Sequence, residues 1–345
     1  MSFNAIPVVL SADNAYAPYL GVTVQSVIEN AAPDKTYKIV ILDGGISDWN
    51  KSRLLSLSKP NVAIEFFDIL SYLKNVDLSQ FHISSHFALP TYFRFFIPEI
   101  FNQYEKVIYL DCDLVCLHDI SPLLDINLKN CFFAAAKDFE GIRAYRKEKY
   151  FRDYCDNILK LKAPENYFQA GVMVFNIKKC LKENFKERLL QKLAVIGNPL
   201  YVDQDVLNAE CEGSVCFLDA MWNYTWNVKT ENLDKDLKSV YEQAVKDIQI
   251  LHFASNIKPW SFPERPYADY FWKFARHTPF YEEILQNKPQ LRLIKEAFSY
   301  NRKLRKYYFY KLISAFSVGA LHKKLKTKYK DIKKDLRKVR KFLKG

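Results

Sequence analysis

Along the first two thirds of the chain, short apolar runs alternate with longer segments in which apolar residues recur every three or four positions. The short runs are rich in β-branched and aromatic residues, which favour strands, and the longer segments have the period of amphipathic helices. Helices are predicted over residues 19–30 and 178–196. Seven strands are predicted, in the runs IPVVLSA, YKIVILDG, AIEFFDI, KVIYLDCD, FFAAAKD, GVMVFNI and IQILHFA. This order predicts an α/β fold, a sheet covered by helices, with residues 1–265 as one domain.

The pattern changes after PWSFPERP to aromatic-rich helices, so residues 266–345 are predicted to form a separate helical region. In its last segment, apolar residues spaced alternately by four and three form a stripe on a lysine-covered helix: Leu325, Tyr329, Ile332, Leu336, Val339 and Leu343. Such a stripe suits either a seam between packed helices or a lipid surface. The lysine density and the aromatic run KYYFYKL favour anionic lipid headgroups, so a membrane-attaching tail is predicted.

Positive charge is concentrated in the same region. Between Arg302 and Lys344 there are 17 of the 51 Lys and Arg residues and only two acids, a formal charge of +15 in a chain whose net charge is +12. The rest of the chain is therefore mildly acidic. Since no recognisable nucleic-acid-binding module accompanies the basic segment, nucleic acid is not predicted as a partner.

The cysteines and the apolar segments indicate in which part of the cell the protein works. Seven cysteines lack the paired spacing of a zinc site, and reduced thiols in the cytoplasm are the simplest interpretation. The start MSFNAIPVVLSAD has no basic region or apolar core of a signal peptide. The run LISAFSVGAL has about half of the roughly 20 residues that a spanning helix needs. A cytoplasmic protein that is peripheral at the inner face of the cell membrane is predicted.

The first candidate for chemistry is KVIYLDCDLVCL, where a predicted strand runs into Asp111 and Asp113. Residues i and i+2 of a strand project to the same side, so both carboxylates can face one ion. Oxygen ligands suit Mg²⁺ or Mn²⁺, which commonly hold substrate phosphates. A hydrogen-bonded strand end is the structural alternative. Haloacid-dehalogenase-type phosphatases also contain such a motif, but the later acidic motif that they need is missing after Val115.

Two further motifs place polar residues at the end of a predicted strand and at the start of a predicted helix. His252 ends an apolar run, with Lys258 six residues later. The histidine is either structural or a third ligand that shifts the preference toward Mn²⁺, and the lysine could meet a phosphate. In YVDQDVLNAE, Asp203 is either a helix N-cap or, with Gln204, part of a cluster that binds sugar hydroxyls.

Two more motifs suit a ligand at the carboxyl ends of strands. In NYFQAGVMVFNI, the small residues Ala170 and Gly171 follow Gln169, although the glycine could simply relieve a tight turn. In VVLSADNAY, Asp13 follows the first strand, where open α/β sheets bind ligands. Each of the five motifs has an ordinary structural explanation, but all five in one order are improbable by chance.

The order of these motifs resembles glycosyltransferase family 8, retaining enzymes that include bacterial lipopolysaccharide glucosyl- and galactosyltransferases and, more distantly, glycogenin. The resemblance covers about residues 5–262, through SADNAYAPYLGVTVQSV, ILDGGIS, TYFRFFIPEIF, VIYLDCDLV, FQAGVMVFNIKK, DQDVLN and HFASNIKPW. It implies a GT-A fold, a Rossmann-like mixed sheet flanked by helices, followed here by a basic, aromatic-rich helical extension. It also implies a UDP-hexose donor, with glucose or galactose as the sugar, and Mn²⁺ or possibly Mg²⁺ as cofactor.

The resemblance assigns roles to particular residues. It implies that the metal ligands are Asp111, Asp113 and His252, and that the catalytic residues are Asp138, Asp203 and Gln204, with Gln204 near the anomeric carbon. The implied donor-binding residues are Ala12, Asp13, Tyr16, Arg94, Asp111, Cys112, Asp113, Gln169, Ala170, Gly171, Asp203, Gln204, Ser255 and Lys258. Among these, Asp13 and Tyr16 would meet the uracil and ribose, Arg94 would lie along the sugar with Asp138, and Lys258 would hold the phosphates.

Three residues depart from the family's pattern. Ala15 replaces an asparagine that touches the nucleotide, so that contact is lost or moves to Asn14. Gln169 replaces the usual asparagine and would alter a contact with the donor sugar. Ser255 replaces a glycine near the phosphates. These departures leave open an alternative to the enzyme, a catalytically silent nucleotide-sugar-binding protein attached to a membrane complex.

The expected reaction is departure of UDP from the sugar with retention of configuration. An amide is a poor nucleophile, so attack by the acceptor hydroxyl on the face that UDP leaves is favoured over a covalent intermediate on Gln204. The expected acceptor is lipopolysaccharide core or another surface glycan, an oligosaccharide or glycolipid.

Overall fold

The computed structural model describes residues 5–76, 78, 81, 89–315, 317 and 319–344, with the backbone alone for residues 288–299, 315, 320 and 338–344. The chain forms two compact units. The first comprises Met1–Pro259 and Glu264–Tyr281, and the second comprises Trp260–Pro263 and Glu282–Gly345.

All seven predicted strands are present in the first unit, together with three short ones that the hydrophobic pattern missed. The strands are β1 (Ile6–Ala12), β2 (Tyr37–Asp43), β3 (Val62–Phe67), β4 (Lys106–Leu110), β5 (Leu114–Cys116), β6 (Phe133–Lys137), β7 (Phe168–Asn176), β8 (Val215–Leu218), β9 (Tyr224–Thr225) and β10 (Ile250–His252). The missed strands, β5, β8 and β9, are two to four residues long, too short for an alternating pattern to develop.

The strands form two sheets. The larger has the order β3-β2-β1-β4-β7-β6-β8, and the smaller has the order β5-β10-β9. In the large sheet, β3, β2, β1 and β4 are parallel, while β7 runs antiparallel to both β4 and β6. The α/β prediction is therefore confirmed, and the sheet is mixed as expected of a GT-A fold.

Helices flank the sheets. In the first unit they are α1 (Ala17–Asn30), α2 (Asp48–Leu55), α3 (Ile69–Tyr72), α4 (Ile97–Ile100), α5 (Phe139–Lys147), α6 (Lys149–Tyr154), α7 (Ile177–Lys182), α8 (Phe185–Ile196), α9 (Val202–Cys211), α10 (Lys235–Ala244) and α11 (Ala268–Ala275). The prediction of a single helix over residues 178–196 is wrong, because the helix is interrupted between α7 and α8. Asn184 adopts a left-handed conformation there, with φ of 50°, which ends an α-helix.

The central strands explain why the apolar runs are continuous rather than alternating. Strand β1 lies between β2 and β4, with helices on the sheet's faces, and Val8, Val9 and Leu10 are completely buried. Parallel strands covered on both faces have this composition. The core also contains many aromatic residues, among them Phe93, Phe133 and Phe175.

Two of the seven cysteines form a disulfide, Cys131–Cys216, across 85 residues of sequence. The pair is close because β8 lies beside β6, with Cys216 opposite Ala134. The expectation that all cysteines are reduced is wrong for this pair, since a spacing of 85 residues gives no sign of adjacent strands. The other five cysteines are free and buried.

The second unit contains two long helices, α12 (Tyr281–Ala315) and α13 (Gly319–Lys344). They run antiparallel: the Tyr329 ring lies 6.0 Å from that of Tyr307, and Lys303 lies 3.7 Å from Asp335. Leu325 and Leu336 of the predicted stripe are buried, and Tyr329 and Ile332 are half-buried, whereas the side chains of Val339 and Leu343 lie outside the described residues.

The described part of the stripe is therefore on the face of α13 that packs against α12, and it is a helix-packing seam rather than the predicted lipid-binding face. No helix in the described part of the chain is long and apolar enough to cross a membrane.

Candidate active site

The two aspartates of KVIYLDCDLVCL lie where the chain passes from one sheet to the other. Asp111 directly follows β4 of the large sheet, and Asp113 directly precedes β5 of the small sheet. Strand β5 pairs with β10, which places Leu114 opposite His252. One carboxylate oxygen of each aspartate and a ring nitrogen of His252 lie within 4.8 Å of one another. The carboxylates face one point because the chain turns between two sheets, not because of strand alternation.

Arg94 and Tyr109 orient Asp111. The Arg94 guanidinium and the Tyr109 hydroxyl donate to its Oδ1, at 2.8 Å and 2.9 Å. The other oxygen, Oδ2, lies 3.8 Å from His252 Nε2. One oxygen is therefore held by the protein, and the other is directed toward the histidine.

Asp113 lies between two cationic or potentially cationic groups. Its Oδ1 lies 3.0 Å from His252 Nε2, and Lys258 donates to its Oδ2. Burial would by itself raise the pKa of Asp113, but the Lys258 ammonium and the adjacent His252 ring hold it well below its usual range. The Asp113 carboxylate is consequently ionised across the neutral pH range.

Gly171 leaves room for the His252 ring and the Asp111 carboxylate. A Cβ atom added to Gly171 would lie 2.8 Å from Asp111 Oδ2 and 2.7 Å from His252 Nδ1, closer than non-bonded atoms approach. Two carboxylate oxygens and an imidazole nitrogen within 4.8 Å of one another suit a divalent cation. The residues present therefore fit a metal ion.

Arg94 also links the cluster of Asp111, Asp113 and His252 to Asp203. The guanidinium is buried, lies 2.9 Å from Asp203 Oδ2 and donates to the Ala170 carbonyl at 2.5 Å. Thr91 donates its hydroxyl proton to Asp203 at 2.5 Å. Burial raises the pKa of Asp203 to about 6, although Arg94 and the Thr91 hydroxyl act in the opposite direction. Asp203 is thus not a helix N-cap, since its carboxylate is used in these contacts and the cap position is Tyr201.

Asp138 and Gln204 form a second polar group beside the first. Asp138 caps α5 by accepting from the Gly141 amide at 2.9 Å, and its other oxygen accepts from Gln204 Nε2 at 3.0 Å. The Gln204 Oε1 atom accepts from the Ala170 amide at 3.1 Å. Burial raises the pKa of Asp138. Both ends of the Gln204 amide are therefore fixed.

The backbone just before Asp203 and Gln204 is strained. Val202 has φ of 42°, a conformation that is rare for a β-branched residue. The strain occurs beside polar residues that the sequence singles out, which is where such outliers concentrate.

The residues that the resemblance assigns to the nucleotide lie directly after β1. Asp13 accepts from the Tyr16 amide at 3.0 Å, and burial followed by the nearby Asp113 charge raises the pKa of the Tyr16 phenol. Cys112 is buried and its thiol donates to the Ser11 carbonyl. Asn14 Oδ1 accepts from the Ser47 amide at 2.9 Å. The Asn14 oxygen is therefore used to hold the start of α2.

Ala12 and Ser255 are two more residues that the resemblance assigns to binding of the sugar donor. Ala12 is buried, and its carbonyl accepts from the Gly44 amide at 2.8 Å. The Ser255 hydroxyl accepts from the Ile257 amide at 3.1 Å. This bond shapes the turn that leads from β10 to Lys258.

Sequence reasoning missed Asn223, Thr91 and Tyr109. Asn223 contacts both Gln169 and His252. It lies in the aromatic stretch MWNYTWN, whose two asparagines give no periodic or motif signal. Tyr109 is hidden because a tyrosine in an apolar strand has the pattern of a core residue.

With this geometry established, the chain can be compared with known proteins. A sequence profile of glycosyl transferase family 8 matches residues 7–263, which is most of the chain. The protein belongs to glycosyl transferase family 8 and is a glycosyltransferase, an enzyme.

Several relatives are informative. General stress protein A of Bacillus subtilis (strain 168) is 28% identical over 79% of this chain and 93% of its own length. The lipopolysaccharide 1,2-glucosyltransferase of Escherichia coli (strain K12) is 26% identical over 83% of this chain and 79% of its own length. The lipopolysaccharide 1,3-galactosyltransferase of Salmonella typhimurium is 24% identical over 77% of each chain.

Solved structures agree with the fold. The bifunctional glycosyltransferase WbbM superimposes with a TM-score of 0.73 at 32% identity, over 83% of this chain and 52% of WbbM. The chain therefore spans about half of WbbM. The galactosyltransferase LgtC, solved with donor and acceptor sugar analogues, gives a TM-score of 0.66 at 25% identity, over 79% of this chain and 96% of LgtC. The GT-A architecture expected from the resemblance is confirmed.

Proposed function

We propose that the protein transfers a hexose, glucose or galactose, from a UDP-sugar to a glycan acceptor, with Mn²⁺ as cofactor and with retention of configuration. The observation that carries this proposal is the convergence of Asp111, Asp113 and His252 on one point, with Lys258 beside them. A diphosphate needs cations, and this cluster supplies a metal site and an ammonium group together.

Asp111, Asp113 and His252 would hold the metal. One nitrogen among oxygen ligands favours Mn²⁺ over Mg²⁺. When bound, the ion supplies Lewis-acid stabilisation of the negative charge that grows on the departing diphosphate. Lys258 lies close enough to Asp113 to share that task at the same phosphates.

The protein's own residues position the sugar. Asp203 and Arg94 form a buried ion pair at the side of the site, suited to hydrogen bonds with sugar hydroxyls. Gln204 is fixed between Asp138 and the Ala170 amide. Its amide is a poor nucleophile, so it orients the sugar and does not bond to it.

The reaction then needs no covalent glycosyl-enzyme. The acceptor hydroxyl oxygen bonds to the anomeric carbon as the bond from that carbon to the phosphate oxygen breaks, and the electron pair leaves with UDP. The acceptor proton passes to the departing phosphate oxygen on the same face. Trapping of a covalent glycosyl-enzyme would contradict this mechanism.

The test is UDP release from UDP-glucose and from UDP-galactose, each with Mn²⁺ or with chelator. Asp113→Ala is the test variant, and Asp125→Ala, which removes an exposed aspartate, is the matched control. We expect metal-dependent release from one donor that is lost in the first variant and kept in the second. Tight UDP binding without release by the wild type would favour a silent nucleotide-sugar-binding protein instead.

We further propose that the second unit binds an anionic membrane surface, as a peripheral attachment at the inner face of the cell membrane. The apolar residues available for this lie near the turn between α12 and α13: Tyr308, Phe309, Leu312, Ile313 and Leu321 are 38–62% exposed. Exposed lysines and arginines flank them, including Arg305, Lys311 and Lys323. Apolar side chains surrounded by basic ones suit anionic headgroups.

Vesicle sedimentation tests this surface. Wild-type protein is expected to sediment with vesicles that contain phosphatidylglycerol and not with phosphatidylcholine alone. A Phe309→Ser, Leu312→Ser double variant should lose this binding, and Tyr150→Ser, which removes an even more exposed aromatic residue from the first unit, should keep it. Equal sedimentation of all three proteins would contradict the proposal.

The acceptor we propose is lipopolysaccharide core or another surface glycan. Support comes from the two lipopolysaccharide hexosyltransferases among the relatives. A site that works beside a membrane also suits a glycolipid acceptor.

A further inference from the structure

Asn223 connects the histidine of the metal cluster to Gln169. His252 Nδ1 lies 2.9 Å from Asn223 Oδ1, and Asn223 Nδ2 lies 2.5 Å from Gln169 Oε1. The same Gln169 oxygen accepts from the Gly171 amide at 2.6 Å. His252 is 1% exposed and Asn223 is 5% exposed, so water does not offer these groups alternative partners.

The direction of each hydrogen bond in this chain follows from its fixed end. A backbone N–H can only donate, so the Gln169 atom that faces the Gly171 amide must be the oxygen. That oxygen also faces Asn223, which must therefore present its NH₂ group there. The other end of the Asn223 amide is its oxygen, an acceptor. The Nδ1 atom of His252 must then have the proton.

This order of bonds fixes the orientation of the histidine ring as well. With Nδ1 bound to Asn223, Nε2 is directed at the two aspartates, 3.0 Å from Asp113 and 3.8 Å from Asp111. A metal-binding histidine needs a lone pair on the nitrogen that faces the metal, and a hydrogen bond from its other nitrogen commonly secures this.

We propose that Asn223 and Gln169 are positioning residues that hold His252 in the Nδ1-protonated tautomer with Nε2 facing the cation site. This inference rests on the proposed metal site. Gln169 thereby acquires a role different from the contact with the donor sugar that the resemblance implied. Its side chain extends forward along its own strand to the Gly171 amide and also reaches Asn223.

The local backbone explains how a residue so distant in sequence reaches His252. Asn223 ends a short 3₁₀ helix, Ala220–Asn223, directly before β9. Strand β9 pairs in parallel with β10, with Thr225 opposite His252. The small sheet therefore places the asparagine and the histidine side by side.

The test compares Asn223→Ala with Asn223→Asp. The alanine removes the acceptor for His252. The aspartate keeps an acceptor for Nδ1–H but has no proton to give Gln169. Asn176→Ala is the matched control, because it removes a half-buried asparagine from the far end of strand β7, away from the site.

Two readouts separate positioning from a general structural role. The first is the ¹⁵N spectrum of histidine-labelled, metal-free protein, in which the His252 signals are identified by their loss in His252→Ala. Without metal, Nε2 faces the ionised Asp113 carboxylate at 3.0 Å and can hold a proton as well, so the diagnostic atom is Nδ1. We expect Nδ1 to be protonated in the wild type, in Asn176→Ala and in Asn223→Asp, and to be protonated in only a fraction of the molecules in Asn223→Ala. The second is Mn²⁺ affinity measured by titration. It should fall about 10–100-fold in Asn223→Ala and less in Asn223→Asp.

The outcomes distinguish this inference from the proposed function. If the wild type binds Mn²⁺ but Asn223→Ala binds it equally with an unchanged tautomer, the positioning role is wrong and the metal site stands. If the wild type binds no Mn²⁺, or if Asp113→Ala binds it as well as the wild type, the metal site itself is wrong. A wild type whose His252 is protonated at Nε2 rather than Nδ1 would also overturn the inference.

Discussion

Among single residues, Gly171 matters to the site because it has no side chain. Gly171 lies on strand β7, and its hydrogen atoms face Asp111 and His252 across a gap too small for a methyl group. The Asp111 carboxylate is held by Arg94 and the His252 ring by Asn223, so both have little freedom to move aside.

Gly171→Ala is therefore expected to abolish cation binding while the protein stays folded. The added Cβ would occupy the space between the Asp111 oxygen and the His252 ring. Titration with Mn²⁺ and thermal melting measured on the same sample check this. Normal metal affinity in a folded variant would show that the cation does not bind in front of this glycine.

The ionisation of Asp203 predicts how the stability of the fold depends on pH. Burial raises its pKa from 3.8 to about 6, so the folded state favours the neutral acid. This residue consequently stabilises the fold below pH 3.8, and the contribution is lost as the pH rises through 6. In Asp203→Asn the contribution is absent, so the wild type should lose up to about 3 kcal/mol relative to the variant between pH 4 and pH 7.

Urea denaturation of both proteins at several pH values measures the difference. Parallel pH curves would mean that Arg94 keeps Asp203 ionised throughout. The same titration should reduce UDP release below about pH 6 in the wild type, because the proposed sugar contact needs the carboxylate.

At the scale of elements, the sequence predicts long strands well and junctions poorly. Strands β1, β4 and β7 are predictable because continuous apolar runs reflect burial on both faces. The short strand β5 is not predictable, yet its pairing with β10 is the reason that Asp113 faces His252. The residues alone predicted that Asp111 and Asp113 can face one ion and left His252 as either structural or a third ligand. The resemblance chose the ligand, since no local pattern reports that β5 pairs with β10. Asn223 was not foreseen at all.

The antiparallel helices of the second unit give a matched test at this scale. Leu336 is 7% exposed and lies in the seam between α12 and α13, whereas Leu312 is 62% exposed. Leu336→Ala should destabilise this unit by about 2–3 kcal/mol, and Leu312→Ala by less than about 0.5 kcal/mol. Hydrogen exchange of the α12 and α13 amides measures both. Equal protection in the two variants would show that the stripe is not a packing seam.

At the scale of the whole molecule, charge is divided between the units. The segment from Arg302 to Lys344 has a formal charge of +15, while the remainder is mildly acidic. This division predicts that an anionic surface attracts the second unit rather than the first.

Binding to anionic vesicles should therefore weaken steeply with ionic strength. Exposed charges are screened over about 3 Å at 1 M salt and about 10 Å at 0.1 M, so the bound fraction should fall as NaCl is raised from 0.1 M to 1 M. UDP release should change much less over the same range, because the site charges are half-buried or buried and are therefore screened less. A bound fraction independent of salt would indicate purely apolar attachment.

The contact between Lys258 and Asp113 has a consequence for the order in which ligands associate. An ammonium that already neutralises Asp113 opposes an incoming cation, and a diphosphate offers that ammonium another partner. Metal and nucleotide should therefore show positive thermodynamic coupling, each strengthening the other's affinity by the same factor. Calorimetric titrations of Mn²⁺ with and without UDP measure that factor, and Lys258→Met, which removes the competition, should bring it closer to one.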